Sequence, residues 1–251
     1  MTTAPLSAVE IVPVSRPDGK VQADRDPAWW REPLQDGRIV VFRGAFEPGA
    51  MGALRRALLE WGAATPPIPP GVSASQPGLD FHRLDDGTAP TTMPHIFHQF
   101  GFADGRGLPG PLADDVRRLR HALLDWQNRL AGTDFDLEDP DFRFKAMRHP
   151  RGGGHLVPHR HPHLPQKVAL FLNLSEPGRD YSSGAALFRN AAGWVDTHED
   201  FRCGDLLAWR YDLVHGVGAV EPEAPLTWQG DDGLWIAAME RFEAHPHSKV
   251  A

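Results

Sequence analysis

The sequence predicts a mainly β protein of the α+β class, with an N-terminal portion of strand, helices and loops packed on a C-terminal portion of short strands. Three observations carry this. The chain holds 24 prolines and 25 glycines, about a fifth of its 251 residues, which is high for a helical bundle and below the range of disordered chains. Helical periodicity is confined to the first half, whereas beyond Gly132 apolar runs alternate with Gly and Pro turns. Hydrophobic residues make up 41% of the chain and include eight Trp, so the turns connect something packed. The expected organisation is one domain over 1–251, with an N-terminal portion at 1–135 and a strand core at 136–245.

Met1 to about Gln35 is polar and mixed, with Pro27 to Trp30 opening the first ordered element. Gly37 to Gly44 encloses a β-branched run that reads as a buried strand. From Pro48 to Trp61, Met51, Leu54, Leu58 and Trp61 recur at helical spacing, and Gly62 reads as the stop. Thr65 to Gly71 is too rich in proline to continue a helix. Residues 72–110 carry no clear period and read as long loops with short strands, including the aromatic stretch around His95 and His98, for which loop packing is favoured over a lid role. Pro111 to Leu130 sets Leu112, Val116, Leu119, Leu123, Trp126 and Leu130 on one face. Strands are expected at Phe142–Arg148, Lys167–Asn173, Ala185–Phe188, Asp205–Arg210 and Leu234–Met239.

A net charge of −7 argues against a protein that grips nucleic-acid phosphates or an anionic membrane. The single cysteine, Cys203, excludes an internal disulfide and fits a reducing compartment. With no signal-peptide pattern and no run near 20 apolar residues, a cytoplasmic location is expected. Monomer and homo-oligomer both stay open.

The chemistry concentrates in Arg151-Gly-Gly-Gly-His155-Leu-Val-Pro-His159-Arg-His161-Pro-His163, where four histidines fall within nine residues. Strand residues i and i+2 share a face, so His159 and His161 can present two imidazoles to one metal. His161 and His163 are the other pairing, weakened by Pro162. A third ligand is His215, in Leu213-Val-His-Gly216 after an apolar strand. Histidine-rich tracts also bind metals adventitiously, and a lone histidine at a strand end is usually a surface residue. Asp180, Asp196 and Glu199 are carboxylates that could enter if His161 points away.

The order of glycine turn, Pro158-His159-x-His161, strand Val168–Leu172, Asn173-Leu-Ser175, Ser183-Gly184, Leu187-Phe188, Gly204-Asp205 and His215-Gly216-Val217 resembles the double-stranded β-helix (jelly-roll) of non-haem iron, 2-oxoglutarate-dependent oxygenases. It is similar most of all to the phytanoyl- and prolyl-hydroxylase branches, over roughly residues 140–243. The resemblance implies an enzyme that binds Fe(II) through His159, His161 and His215 and oxidises a small molecule with O₂, with 2-oxoglutarate as cosubstrate. The sequence departs from that family twice. His161 stands where a carboxylate is expected, and Leu234 stands where related proteins often carry the arginine that holds the cosubstrate. Arg241, Arg210 and Lys167 are then the candidate cosubstrate anchors. The three-imidazole set equally suits a cupin-like, cosubstrate-independent dioxygenase acting on an electron-rich ring or diketone, in which Gln166 falls where many cupins place Glu. A zinc hydrolase or lyase, or a binding barrel without catalysis, is the answer of a different class. Trp209 and Tyr211 are candidate pocket residues, and His245-Pro-His247 reads as a tail.

Overall fold

The computed structural model describes residues 9–15, 22–69, 80–89, 91, 93–103, 105, 107–139, 141–241 and 248–249; His245 and His247 lie outside them. The N-terminal portion holds β1 (Glu10–Ser15), β2 (Gln22–Ala23), a 3₁₀ turn at Pro27–Trp30, α1 (Arg31–Gln35), β3 (Val40–Arg43), α2 (Pro48–Ala64), β4 (Phe81–Asp85), β5 (His95–Phe102) and α3 (Gly110–Ala131). The C-terminal strands are β6 (Phe142–His149), β7 (Gly154–Arg160), β8 (Val168–Asn173), β9 (Ala186–Asn190), β10 (Gly193–Asp196), β11 (Leu206–Arg210), β12 (Val214–Val220), β13 (Leu234–Arg241) and β14 (Ser248–Lys249).

Two four-stranded antiparallel faces form the core. One runs β6-β13-β8-β11 and continues through β3, β1 and β2; the other runs β10-β9-β12-β7. β5 closes one side, pairing with β7 at His95↔Leu156 and with β6 from His98↔Arg148 to Phe102↔Phe144. This is the double-stranded β-helix that the sequence predicts. Strand alternation divides its apolar residues between two cores. Ala169, Phe171, Leu207, Trp209 and Ile236 point inward against Leu156, Ala186, Phe188 and Val217 of the opposite face. Leu170, Leu172, Leu206, Ala208 and Trp235 point outward against Leu54, Leu58, Leu119 and Leu123 of α2 and α3.

Two expectations need correction. α2 does not stop at Gly62 but runs to Ala64, because Gly62 is the point where the helix meets β4 and β5: a Cβ there would lie 3.1 Å from the Phe100 ring and 3.6 Å from His82 and His98. Residues 72–110 also contain a regular hairpin, β4 paired with β5 from Phe81↔Gly101 to Asp85↔Phe97.

Two histidines make the fold acid-sensitive. Burial pushes His98 down to about 3, with His82 and Arg148 adding to it, and pushes His149 to about 3, with His155 adding to it. The unfolded chain takes up these protons near 6.5 and the folded chain does not. The stability is therefore complete above pH 6.5 and falls as pH drops toward 3, by about 1.4 kcal/mol per pH unit for each histidine well inside that window. Urea unfolding at pH 7, 6 and 5 should show this slope, and His149→Gln should roughly halve it; an unchanged slope would contradict the assignment.

Candidate metal centre

Strand pairing builds the site. β7 and β12 run antiparallel with His159 opposite His215, and His161 follows just past the end of β7. The three rings converge: their centroids lie 4.4 Å (His159–His215), 5.0 Å (His159–His161) and 5.3 Å (His161–His215) apart. One ligand nitrogen from each falls within 4.8 Å of the others. β12 can approach β7 this closely because residue 216 is glycine, where a Cβ would lie 2.7 Å from the Leu156 carbonyl oxygen.

The protein also fixes how the rings point. His159 Nδ1 donates to the Val157 carbonyl at 3.0 Å and His215 Nδ1 donates to the Leu213 carbonyl at 2.9 Å. A carbonyl can only accept, so each contact places the proton on Nδ1 and leaves Nε2 with its lone pair for a metal. His161 stacks on Tyr211 with centroids 4.6 Å apart and planes 1° from parallel. His159 and His215 are buried and His161 is half-buried. Three neutral imidazoles at this spacing fit one first-row divalent ion, with coordination positions left for other ligands.

The other histidines of the tract, and Asp180 and Asp196 among the candidate carboxylates, are engaged elsewhere, and Glu199 is exposed. His155 Nδ1 bonds the Gly153 carbonyl, and His163 lies 3.9 Å from Asp212. Asp180 pairs with Arg55 at 3.0 Å, and Asp196 accepts from the His198 amide. Gln166 ties the turn before β8 to β13, accepting from the Arg241 amide.

A cavity of about 200 Å³ opens beside the triad, with Trp209 and Tyr211 in its wall. Arg241, Arg210 and Lys167 are not part of that wall. Arg241 lies 3.5 Å from Asp141; Arg210 pairs with Asp212 at 2.6 Å and donates to the Gln35 carbonyl; Lys167 sits in a left-handed turn, φ 60°. Instead the cations come from the other face of strands already counted. In Phe142-Arg-Phe-Lys-Ala-Met147, the residues Phe142, Phe144 and Ala146 face the helices, so Arg143, Lys145 and Met147 face the cavity. Arg143 is buried; desolvation lowers its pKa, opposed by Asp80, Glu240 and Asp141. Lys145 pairs with Glu240 of β13. Arg83 of β4 and His95 of β5 line the same cavity. Alternation on β6 was visible in the sequence, but a charged face on an alternating strand ordinarily means solvent.

No family model and no curated protein sequence matches the chain. Solved structures do. A Pseudomonas putida prolyl-4-hydroxylase aligns with 87% of this chain over 100% of its own, at 14% identity and a TM-score of 0.57. A rice dioxygenase for auxin oxidation aligns over 92% of this chain and 82% of its own, at 14% identity and 0.53. The non-heme, α-ketoglutarate-dependent carbocyclase SnoK from nogalamycin biosynthesis aligns over 87% and 83%, at 12% identity and 0.52. At these identities the likeness is one of architecture: the chain has the double-stranded β-helix fold of these oxygenases.

Proposed function

We propose that this protein is a mononuclear non-haem Fe(II) oxygenase that uses O₂ and 2-oxoglutarate to oxidise a small molecule, a secondary metabolite or amino-acid-like compound. The observation that carries the reading is the convergence of His159, His161 and His215 on a cavity that also contains Arg143 and Lys145. Fe(II) held by the three imidazoles would supply the redox chemistry that couples decarboxylation of 2-oxoglutarate, to succinate and CO₂, to substrate oxidation. Arg143, beside Lys145 and Glu240, is the group we assign to the distal carboxylate of the cosubstrate, in place of Arg241, Arg210 or Lys167. A dicarboxylate needs such a cation, whereas a cosubstrate-independent dioxygenase does not, and this favours the 2-oxoglutarate reading over the cupin-like one. The aromatic and aliphatic wall, with Phe171, Trp209 and Met147, excludes water from the reaction. Among the described residues no helix is long and apolar enough to cross a membrane. Buried Cys203, its thiol pushed up to about 11 by burial, agrees with a reducing, cytoplasmic setting.

Incubation with Fe(II), O₂ and 2-oxoglutarate tests the reading: succinate should form slowly without a primary substrate, and stop on chelation. Succinate that never exceeds a metal-free control, in protein with stoichiometric iron, would contradict it. The middle ligand has its own test. His161→Ala should lower Fe(II) affinity at least tenfold, and His161→Asp should restore stoichiometric binding with an altered spectrum. Unchanged iron binding in His161→Ala would remove His161 from the ligand set.

A further inference from the structure

The cavity has a second cluster of basic side chains. Arg83 on β4 and His95 on β5 both line it, and Asp85 stands behind them, outside the wall, bridging the two: its Oδ2 lies 2.5 Å from Arg83 Nε and 3.2 Å from His95 Nε2. Burial disfavours the Asp85 carboxylate, but His95 and Arg83 outweigh this and hold its pKa below the usual range. Both side chains are fixed from other sides as well. Arg83 Nη2 donates to Gln99 Oε1 at 3.1 Å, and His95 Nδ1 donates to the Met93 carbonyl at 2.6 Å. His95 also lies flat on Phe97, centroids 4.1 Å apart and planes 8° from parallel. The cluster sets Arg83 and His95 against the one carboxylate of Asp85, which stands outside the wall, and the sole carboxylate in the cavity wall among the described residues, Glu240, is engaged with Lys145 on another strand.

This cluster is distinct from the one assigned to the cosubstrate. Arg83 pairs with Gln99, and Gln99 with Met147, which is four residues along β6 from Arg143. At about 3.3 Å per strand residue, the two positions are about 13 Å apart along the strand direction. A second guanidinium in the cavity wall, Arg83, exceeds what one dicarboxylate uses at its distal end. His95 is also paired with β7, the strand that carries His159, and so sits on the metal-bearing side of the barrel.

We propose that Arg83, held by Asp85 together with His95, is the recognition site for an anionic group on the primary substrate, a carboxylate attached to an apolar or aromatic body that packs against Phe97 and Met93. The inference rests on the reading of the site as a 2-oxoglutarate oxygenase with Arg143 as the cosubstrate anchor. It makes Arg83 a specificity residue, matching a planar guanidinium to a planar carboxylate.

The probes are benzoate and its uncharged near-isostere benzamide, titrated calorimetrically into protein saturated with Mn(II) and 2-oxoglutarate. Benzoate should bind at least tenfold more tightly than benzamide. Arg83→Gln should erase that preference while changing the 2-oxoglutarate Kd less than twofold, and Arg143→Gln should do the reverse. Equal binding of the two probes, no binding of benzoate, or an Arg83→Gln protein that keeps the preference would overturn the proposal, as would a tenfold loss of 2-oxoglutarate affinity in that variant. The benzoate–benzamide comparison on the unaltered protein stands even if Arg83→Gln fails to fold. If 2-oxoglutarate does not bind at all, the functional reading fails; benzoate titrated into the metal-free protein then still decides the anion site.

Discussion

Replacing His215 with Ala is expected to reduce Fe(II) affinity at least ~100-fold and to remove activity, with the fold intact. The ligand role concentrates the effect. His215 is buried on β12 opposite His159, with its Nδ1 proton committed to the Leu213 carbonyl. Without it two imidazoles remain, one of them on the half-buried His161, and loss of even an outer-shell partner of a metal ligand typically costs 10- to 100-fold. The structural cost is smaller. The ring packs against Trp209 at 5.1 Å and Phe171 at 6.1 Å, and its removal leaves a gap at the cavity edge, worth about 1–3 kcal/mol. Metal analysis after dialysis, together with circular dichroism and thermal unfolding, checks both halves. Stoichiometric iron in the folded variant would show that His215 is not a ligand.

Arg143→Gln is expected to raise the 2-oxoglutarate Kd by about 10- to 100-fold while leaving metal affinity unchanged. A hydrogen bond to a charged group contributes about 1.5–3 kcal/mol, and Gln keeps one N–H donor of the two a guanidinium presents to a carboxylate, so the loss is about one such bond, roughly 10- to 100-fold. Burial strengthens the expectation, because water screens the pair poorly at this depth. Lys145→Met should have a smaller effect, since Lys145 already pairs with Glu240. Calorimetry with Mn(II)-loaded protein reads the Kd directly. An unchanged value for Arg143→Gln, with a large loss in Arg241→Gln or Arg210→Gln, would return the anchor to the positions first read from the sequence.

The parts of the fold that were legible in the sequence are those where one physical signal dominates. α3 announces itself by a long apolar stripe, and β8 by an uninterrupted apolar run that is buried on both faces. The His159, His161 and His215 set was legible because imidazoles at i and i+2 share a strand face, and the structure brings the same three rings together. β12 was harder to read. Gly216 and Gly218 break its pattern, yet at Gly216 a side chain would collide with β7, so the residue that hides the strand is the one that lets it carry His215 against His159. β4 and β5 do not show a strand's alternation of apolar and polar residues because Arg83, His95 and Gln99 face the cavity, where an apolar residue would be expected. The basic residues of the cavity wall on β6 were hidden for a related reason. Arg143 and Lys145 look like solvent-facing charges until the helices are seen to cover one face of β6 and the cavity to lie against the other.

Addition of 2-oxoglutarate to the anaerobic protein loaded with Fe(II) tests the central claim most directly, by absorbance in the visible. A new metal-to-cosubstrate charge-transfer band should appear, saturate at one equivalent and be absent from His215→Ala. Confirmed iron binding with no band at any 2-oxoglutarate concentration would contradict that claim and would make the three-imidazole site that of a cosubstrate-independent dioxygenase.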